Sequence, residues 1–185
     1  LSTLYVRKNS TGIYTGIRNT TTGTVPTASK TGYDFNGWYN SGSTKIINAD
    51  KSVVASVANW TDGSKNWLIT SDQTLTASCT AHTYTITLNG QNATTQDVTA
   101  IYETYGSKFS LTSNGTATTT ISVPVRTGYT FNGYYSAADG GTQYINAGGT
   151  ITASNTITTS DTTWYAHWSK EVSVSSITKT LSATE

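Results

Sequence analysis

At 185 residues, with charged side chains at 11% and a formal net charge of +1, the chain presents neither the basic surface that a nucleic-acid backbone requires nor the cationic face of a membrane-surface protein. It has no run of about 18 apolar residues, so this segment is not expected to span a membrane, and its start lacks the basic and apolar stretches of a signal peptide. Forty Thr and 22 Ser beside few strong helix formers favour strands, while 5 Trp, 12 Tyr and 3 Phe supply apolar surface for a folded core.

In chain order, residues 1–25 align with nothing later in the sequence. From Thr31 to Tyr39 the residues Tyr33, Phe35, Gly37 and Tyr39 share one parity, the period of a half-buried strand with an aromatic inward face. Asn36-Gly37 suits a hairpin turn, but aromatic residues continue on both sides, so a strand with a glycine bulge is expected. Thr44–Ala49 forms a second block. Between it and the next block lies added length around Asn59–Trp67. There Trp60 and Trp67 are the candidate binding residues, because exposed flat aromatics stack on sugar rings; the competing reading packs them on the core. A closing strand follows in which Leu75, Ala77 and Cys79 point inward, the single Cys79 serving as a small hydrophobe.

His82 stands at a junction and is expected at the surface. Tyr84, Ile86 and Leu88 then alternate with Thr83, Thr85 and Thr87 in the clearest strand of the chain, ahead of an Asn89-Gly90 turn. Further strands are expected near Val98–Tyr105 and Thr116–Val123. Thr127–Tyr135 repeats Thr31–Tyr39 at seven of nine positions, with Tyr129, Phe131, Gly133 and Tyr135 on one parity. Thr142–Ala147 repeats Thr44–Ala49, and Thr159–Trp168 repeats Thr70–Cys79. In that last block Trp164, Ala166 and Trp168 face inward and His167 outward, so Cys79 stands where the second copy has a core tryptophan. The offsets of 96, 98 and 89 make the first copy two residues shorter between blocks one and two and nine longer between blocks two and three.

Three blocks in one order define two copies. The domains read from them are 1–81, a first repeat with a truncated or divergent front and an insertion near 50–67; 82–170, a second repeat; and 171–185, a linker or the start of a next domain. In that tail Val172 and Val174 alternate with polar residues and could pair with a neighbouring sheet edge. The lack of methionine reads as a processed chain or a piece of a longer protein.

No catalytic constellation emerges: the 2 His, 1 Cys and 10 acids show no recognisable spacing, and Asp139-Gly-Gly141 lacks the further acidic ligands of a calcium loop. No enzyme activity, metal or cofactor is expected. A Lys–Asn isopeptide bond would need a buried Lys, an Asn or Asp and a catalytic acid such as Glu103, an arrangement that spacing cannot reveal.

The strand Tyr-Thr-Ile-Thr-Leu-Asn-Gly from Tyr84, the turn Tyr105-Gly-Ser-Lys108, Pro124 ahead of Thr-Gly-Tyr-Thr-Phe-Asn-Gly-Tyr-Tyr, and the final Thr163-Trp-Tyr-Ala-His-Trp168 resemble the internalin-type B repeats, or Listeria-Bacteroides repeats, of large bacterial surface proteins. The resemblance implies a mostly β chain of two tandem small domains of the β-grasp, ubiquitin-like kind, located outside the cell at its surface or wall. It also implies a stalk between a ligand-binding head and an anchor, whose partners are other domains of the same protein. The alternatives are a module binding a host or cell-surface protein or glycan, and a subunit of a self-assembling filament. The nine extra residues after Ala49, the missing tryptophan at Cys79 and the Thr-rich stretch from Ser110 to Ser122 depart from the family pattern.

Overall fold

β-Branched and aromatic residues in alternation leave the backbone only extended solutions, and the computed structural model follows them. It describes residues 3–9, 12–16 and 25–172, and every regular element among these is a strand. The chain divides into two compact units, Leu1–His82 and Thr83–Glu185.

The first unit comprises β1 (Thr3–Asn9), β2 (Gly12–Gly16), β3 (Tyr33–Tyr39), β4 (Lys45–Asn48) and β5 (Gln73–Ala81) in one antiparallel sheet of order β2-β1-β5-β3-β4. The second comprises β6 (Thr83–Asn89), β7 (Ala100–Thr104), β8 (Lys108–Ser110), β9 (Ala117–Thr118), β10 (Tyr129–Tyr135), β11 (Gln143–Asn146) and β12 (Thr162–Lys170). Its sheet runs β11-β10-β12-β6-β7-β8-β9, with β12 parallel to β6. In the first unit the strand beside β5 runs antiparallel to it, so the copies share their later strands and differ in their first ones.

The three repeated blocks occupy equivalent places. Phe35 faces Cys79 across the β3–β5 ladder as Phe131 faces Trp168 across β10–β12, and Gly37 pairs with Asn48 as Gly133 pairs with Asn146. Both Asn-Gly pairs are bulges within a continuing strand: the ladder shifts between Phe35 and Gly37 and between Phe131 and Gly133. The glycines adopt φ of 121° and 126°.

An inserted residue reverses which side of the strand the following residues face. The expectation that Tyr39 and Tyr135 point into the core is corrected accordingly: both are half-buried, whereas Trp38 is 1% and Tyr134 0% exposed. Phe35 meets Trp38 edge-on at 5.7 Å, and Phe131 meets Tyr134 at 5.3 Å. Tyr33 and Tyr129, at the strand starts, are likewise half-buried and stand outside the cores, each under a cation: Lys30 Nζ lies 3.5 Å from the Tyr33 ring centroid and the Arg126 guanidinium carbon 3.8 Å from that of Tyr129. Phe35, Cys79 and Trp168 are half-buried as well, Phe35 and Trp168 packing against the cores from their margins.

Trp38, Ile46, Ile47, Ile69, Leu75 and Ala77 form the heart of the first core; the Trp38 indole N–H donates to the Pro26 carbonyl at 3.0 Å. The second core gathers Ile86, Leu88, Ile101, Phe109, Phe131, Tyr134, Ile145 and Trp164, with Phe109 edge-on to Trp164 at 6.2 Å. Tyr84, near the start of the central strand β6, is buried as well and meets Tyr105 edge-on at 6.4 Å.

Two turn expectations shift. The reversal after β6 places Gln91 and Asn92, not Gly90, at positive φ, and the Asn89 side chain accepts the Gln91 N–H at 3.0 Å. The Thr-rich stretch yields only the short β9 and an isolated Thr120–Thr150 bridge. The tail beyond Val172, where the linker or edge-pairing segment was expected, lies outside the described residues.

Candidate functional site

The added loop of the first copy is organised by Asp62. Its carboxylate accepts the backbone N–H groups of Ser64 and Asn66 and the Asn66 side-chain amide at 2.8–2.9 Å. These bonds favour the ionised form and lower its pKa. Thr61 is buried beneath the loop, donating its hydroxyl to Val54 O at 2.6 Å and accepting from Val57 N at 3.1 Å. The loop closes through a Thr61–Trp67 bridge and a Leu68 N–H to Trp60 O bond.

This arrangement turns both candidate tryptophans onto the core of the first unit, where they are partly buried against its cluster. Trp60 also lines a surface depression of about 430 Å3 with Asn59, Leu68 and Gln73, while Trp67 does not reach it. The two indoles therefore form no shared aromatic platform. Trp60→Ala is expected to lower stability by about 1–2 kcal/mol through lost apolar contact, read by urea denaturation. Unchanged stability together with lost sugar binding would instead restore Trp60 as a ligand anchor.

The titratable groups are dispersed. No group of three or more His, Cys, Asp and Glu side chains that could hold a metal occurs among the described residues. His82 is half-buried, and its Nδ1 lies 2.7 Å from Asp34 Oδ2 in a largely exposed pair of little energetic weight. His167, also half-buried, stacks flat on Tyr135 at 4.0 Å and bonds through Nε2 to Ala137 O at 2.9 Å.

The exception is Glu103 on β7, a strand position whose side chain is 0% exposed. Its two oxygens accept the backbone N–H groups of Ile157 and Thr158 at 3.0 and 3.2 Å, tying the connection before β12 to the sheet. Burial disfavours the carboxylate more than these two bonds favour it, so its pKa is pushed up to about 7. Its place two residues after the apolar Ile101, on the same face of the strand, is the one sequence signal for an inward acid on β7. The carboxyl group holds a loop, and the groups that donate to it are backbone amides rather than a Lys–Asn pair.

The chain is thus all-β, with a three-strand unit repeated in both sheets. The Listeria-Bacteroides repeat domain matches residues 5–61 and 84–167, and the chain belongs to that family of repeats from bacterial surface proteins. No curated protein and no solved structure matches the chain.

Proposed function

We propose that the chain is a non-enzymatic spacer region of an adhesin-like protein of the bacterial surface, made of internalin-type B repeats that hold a distal domain away from the cell. The observation that carries this reading is the pair of units with equivalent β3-β4-β5 and β10-β11-β12 sheets, each burying its own aromatic core. A repeat with its own core can be added in series, which suits a length-setting element. Low charge and abundant Thr leave few strong anchors for unintended partners.

The β-grasp character of each repeat is part of the proposal. Setting aside β8 and β9 at one edge, the second sheet runs β7-β6-β12-β10-β11 where the first runs β2-β1-β5-β3-β4, and the parallel contact of β6 and β12 supports the assignment. The described residues carry no helix across the sheet. A place outside the cell, at its surface or wall, accords with the family.

Single-molecule extension of the whole chain tests the spacer reading. Two separate unfolding events are expected, each releasing roughly 300 Å of chain at about 3.6 Å per residue. One concerted event, or extension without resistance, would contradict it.

A further inference from the structure

The second unit carries a polar cleft beside His167 and Trp168, where the first unit has a depression lined by Tyr39, Asn40, Ser43 and Thr76 to Cys79. The cleft has a volume of about 320 Å3 and is lined by Asn92, Arg126, Asn132, Asp139, His167 and Trp168, among others, a size at the lower end of the range for small-molecule sites. Its walls are held in place. The Trp168 indole N–H donates to Gly90 O at 3.0 Å while its ring meets Phe131 at 5.4 Å; His167 is fixed between Tyr135 and Ala137 O; the Asn132 amide donates to Ser169 Oγ at 2.7 Å. The loop forming one wall holds Gln91 and Asn92 at φ of 48° and 66°, a left-handed conformation that costs non-glycine residues energy and recurs at ligand sites.

Two opposite charges, Arg126 and Asp139, line this frame. Arg126 rests on Tyr129 and makes one long bond of 3.4 Å to Gln91 O, and neither it nor Asp139 enters an ion pair among the described residues.

The first copy shows that the fold does not require these groups. At the equivalent positions β5 carries Ser78 and Cys79 instead of His167 and Trp168, and the connection after β3 is two residues shorter than the one bearing Asp139. The cation-on-tyrosine contact occurs in both copies, as Lys30 on Tyr33 and Arg126 on Tyr129, and belongs to the shared framework. What the second copy adds is a planar guanidinium, a carboxylate, an amide and an indole around one cleft.

We propose that this cleft binds a sugar residue bearing a carboxylate. The free edge of Arg126 matches a carboxylate in two parallel hydrogen bonds. Asp139 and Asn92 offer acceptors and a donor for ring hydroxyls, and Trp168 supplies an apolar surface for the C–H face of the ring.

The test is a two-dimensional 1H–15N NMR titration of the full chain with methyl β-D-glucuronide, methyl β-D-glucoside and alanine. The glucuronide is expected to move the Trp168 indole signal and the amides of Asn92 and Asp139, leaving Ser78 and Cys79 unmoved. The glucoside is expected to bind the same place about tenfold more weakly, a difference of about 1.4 kcal/mol, and alanine not to displace either sugar. Arg126→Gln should bring the glucuronide down to the glucoside's affinity. Since Arg126 also packs on Tyr129, the exposed Asp139→Ala serves as the second variant, weakening both sugars alike while the rest of the spectrum stays put. Equal binding of the two sugars, displacement by alanine, indifference to both variants or no movement at the cleft would each overturn the proposal. Extension and titration report on different properties, so failure here leaves the spacer reading standing.

Discussion

Gly133→Ala is expected to destabilise the second unit by roughly 3 kcal/mol or more, the sum of backbone strain and overpacking at one site. A Cβ at Gly133 would lie 2.3 Å from the Ile145 carbonyl oxygen, a backbone atom in the neighbouring β11, and the residue's φ of 126° is one that alanine rarely adopts. Gly37 in the first unit meets the same obstacle, 2.3 Å from Ile47 O at a φ of 121°, so Gly37→Ala should cost a similar amount. Gly128→Ala is the control. Its φ of 76° is also left-handed, but nothing lies within 4 Å of the added carbon, and the conformational cost alone is about 1–2 kcal/mol. Urea denaturation of the three variants separates the two causes. Equal losses at Gly128 and Gly133 would show that strand approach is not what demands glycine at the bulge.

Stability is expected to fall as pH rises from about 4.5 to about 7. Glu103 has a folded pKa of about 7 against an ordinary value of 4.5, so over this interval the folded chain holds a proton that the unfolded chain has released. The contribution is fully present below pH 4.5 and is lost as pH rises through 7, by roughly 3 kcal/mol at about 1.4 kcal/mol per pH unit. Glu103→Gln should flatten that slope. Glu103→Ala should cost about 2–4 kcal/mol below pH 4.5, since it leaves the buried N–H groups of Ile157 and Thr158 without their acceptors, and correspondingly less as pH rises toward 7. Asp50 and Asp62 act in a separate window: their pKa values are lowered from 3.8 by hydrogen bonds, so what they add is lost only as pH falls below that value. Urea denaturation at half-unit pH steps checks the slope, and a flat wild-type profile from pH 4.5 to 7 would refute the assignment.

The β class, the repeated blocks and the Asn-Gly bulges were legible because each is a local statement: alternation, recurrence and a residue suited to positive φ. Tyr84, Ile86 and Leu88 were read correctly as buried because β6 runs without interruption. Glu103 was noticed only as a hypothetical catalytic acid, and its loop-holding role was invisible because its partners lie 54 and 55 residues away. Arg126, Asp139 and His167 were equally hard to gather. They come from three segments, and only the pairing of β10 with β12 and the loop after β6 set them around one cleft.

The amino-acid sequence by itself determined that this protein is built of strands, that two copies of one pattern are present, and that the copies differ by a loop and a cysteine. The tertiary structure decided which aromatics are core. One bulge residue per strand turns Trp38 and Tyr134 inward and Tyr39 and Tyr135 toward solvent. A two-residue period read along the chain cannot carry through that bulge, because its phase is set by the partner strand against which the extra residue goes unpaired.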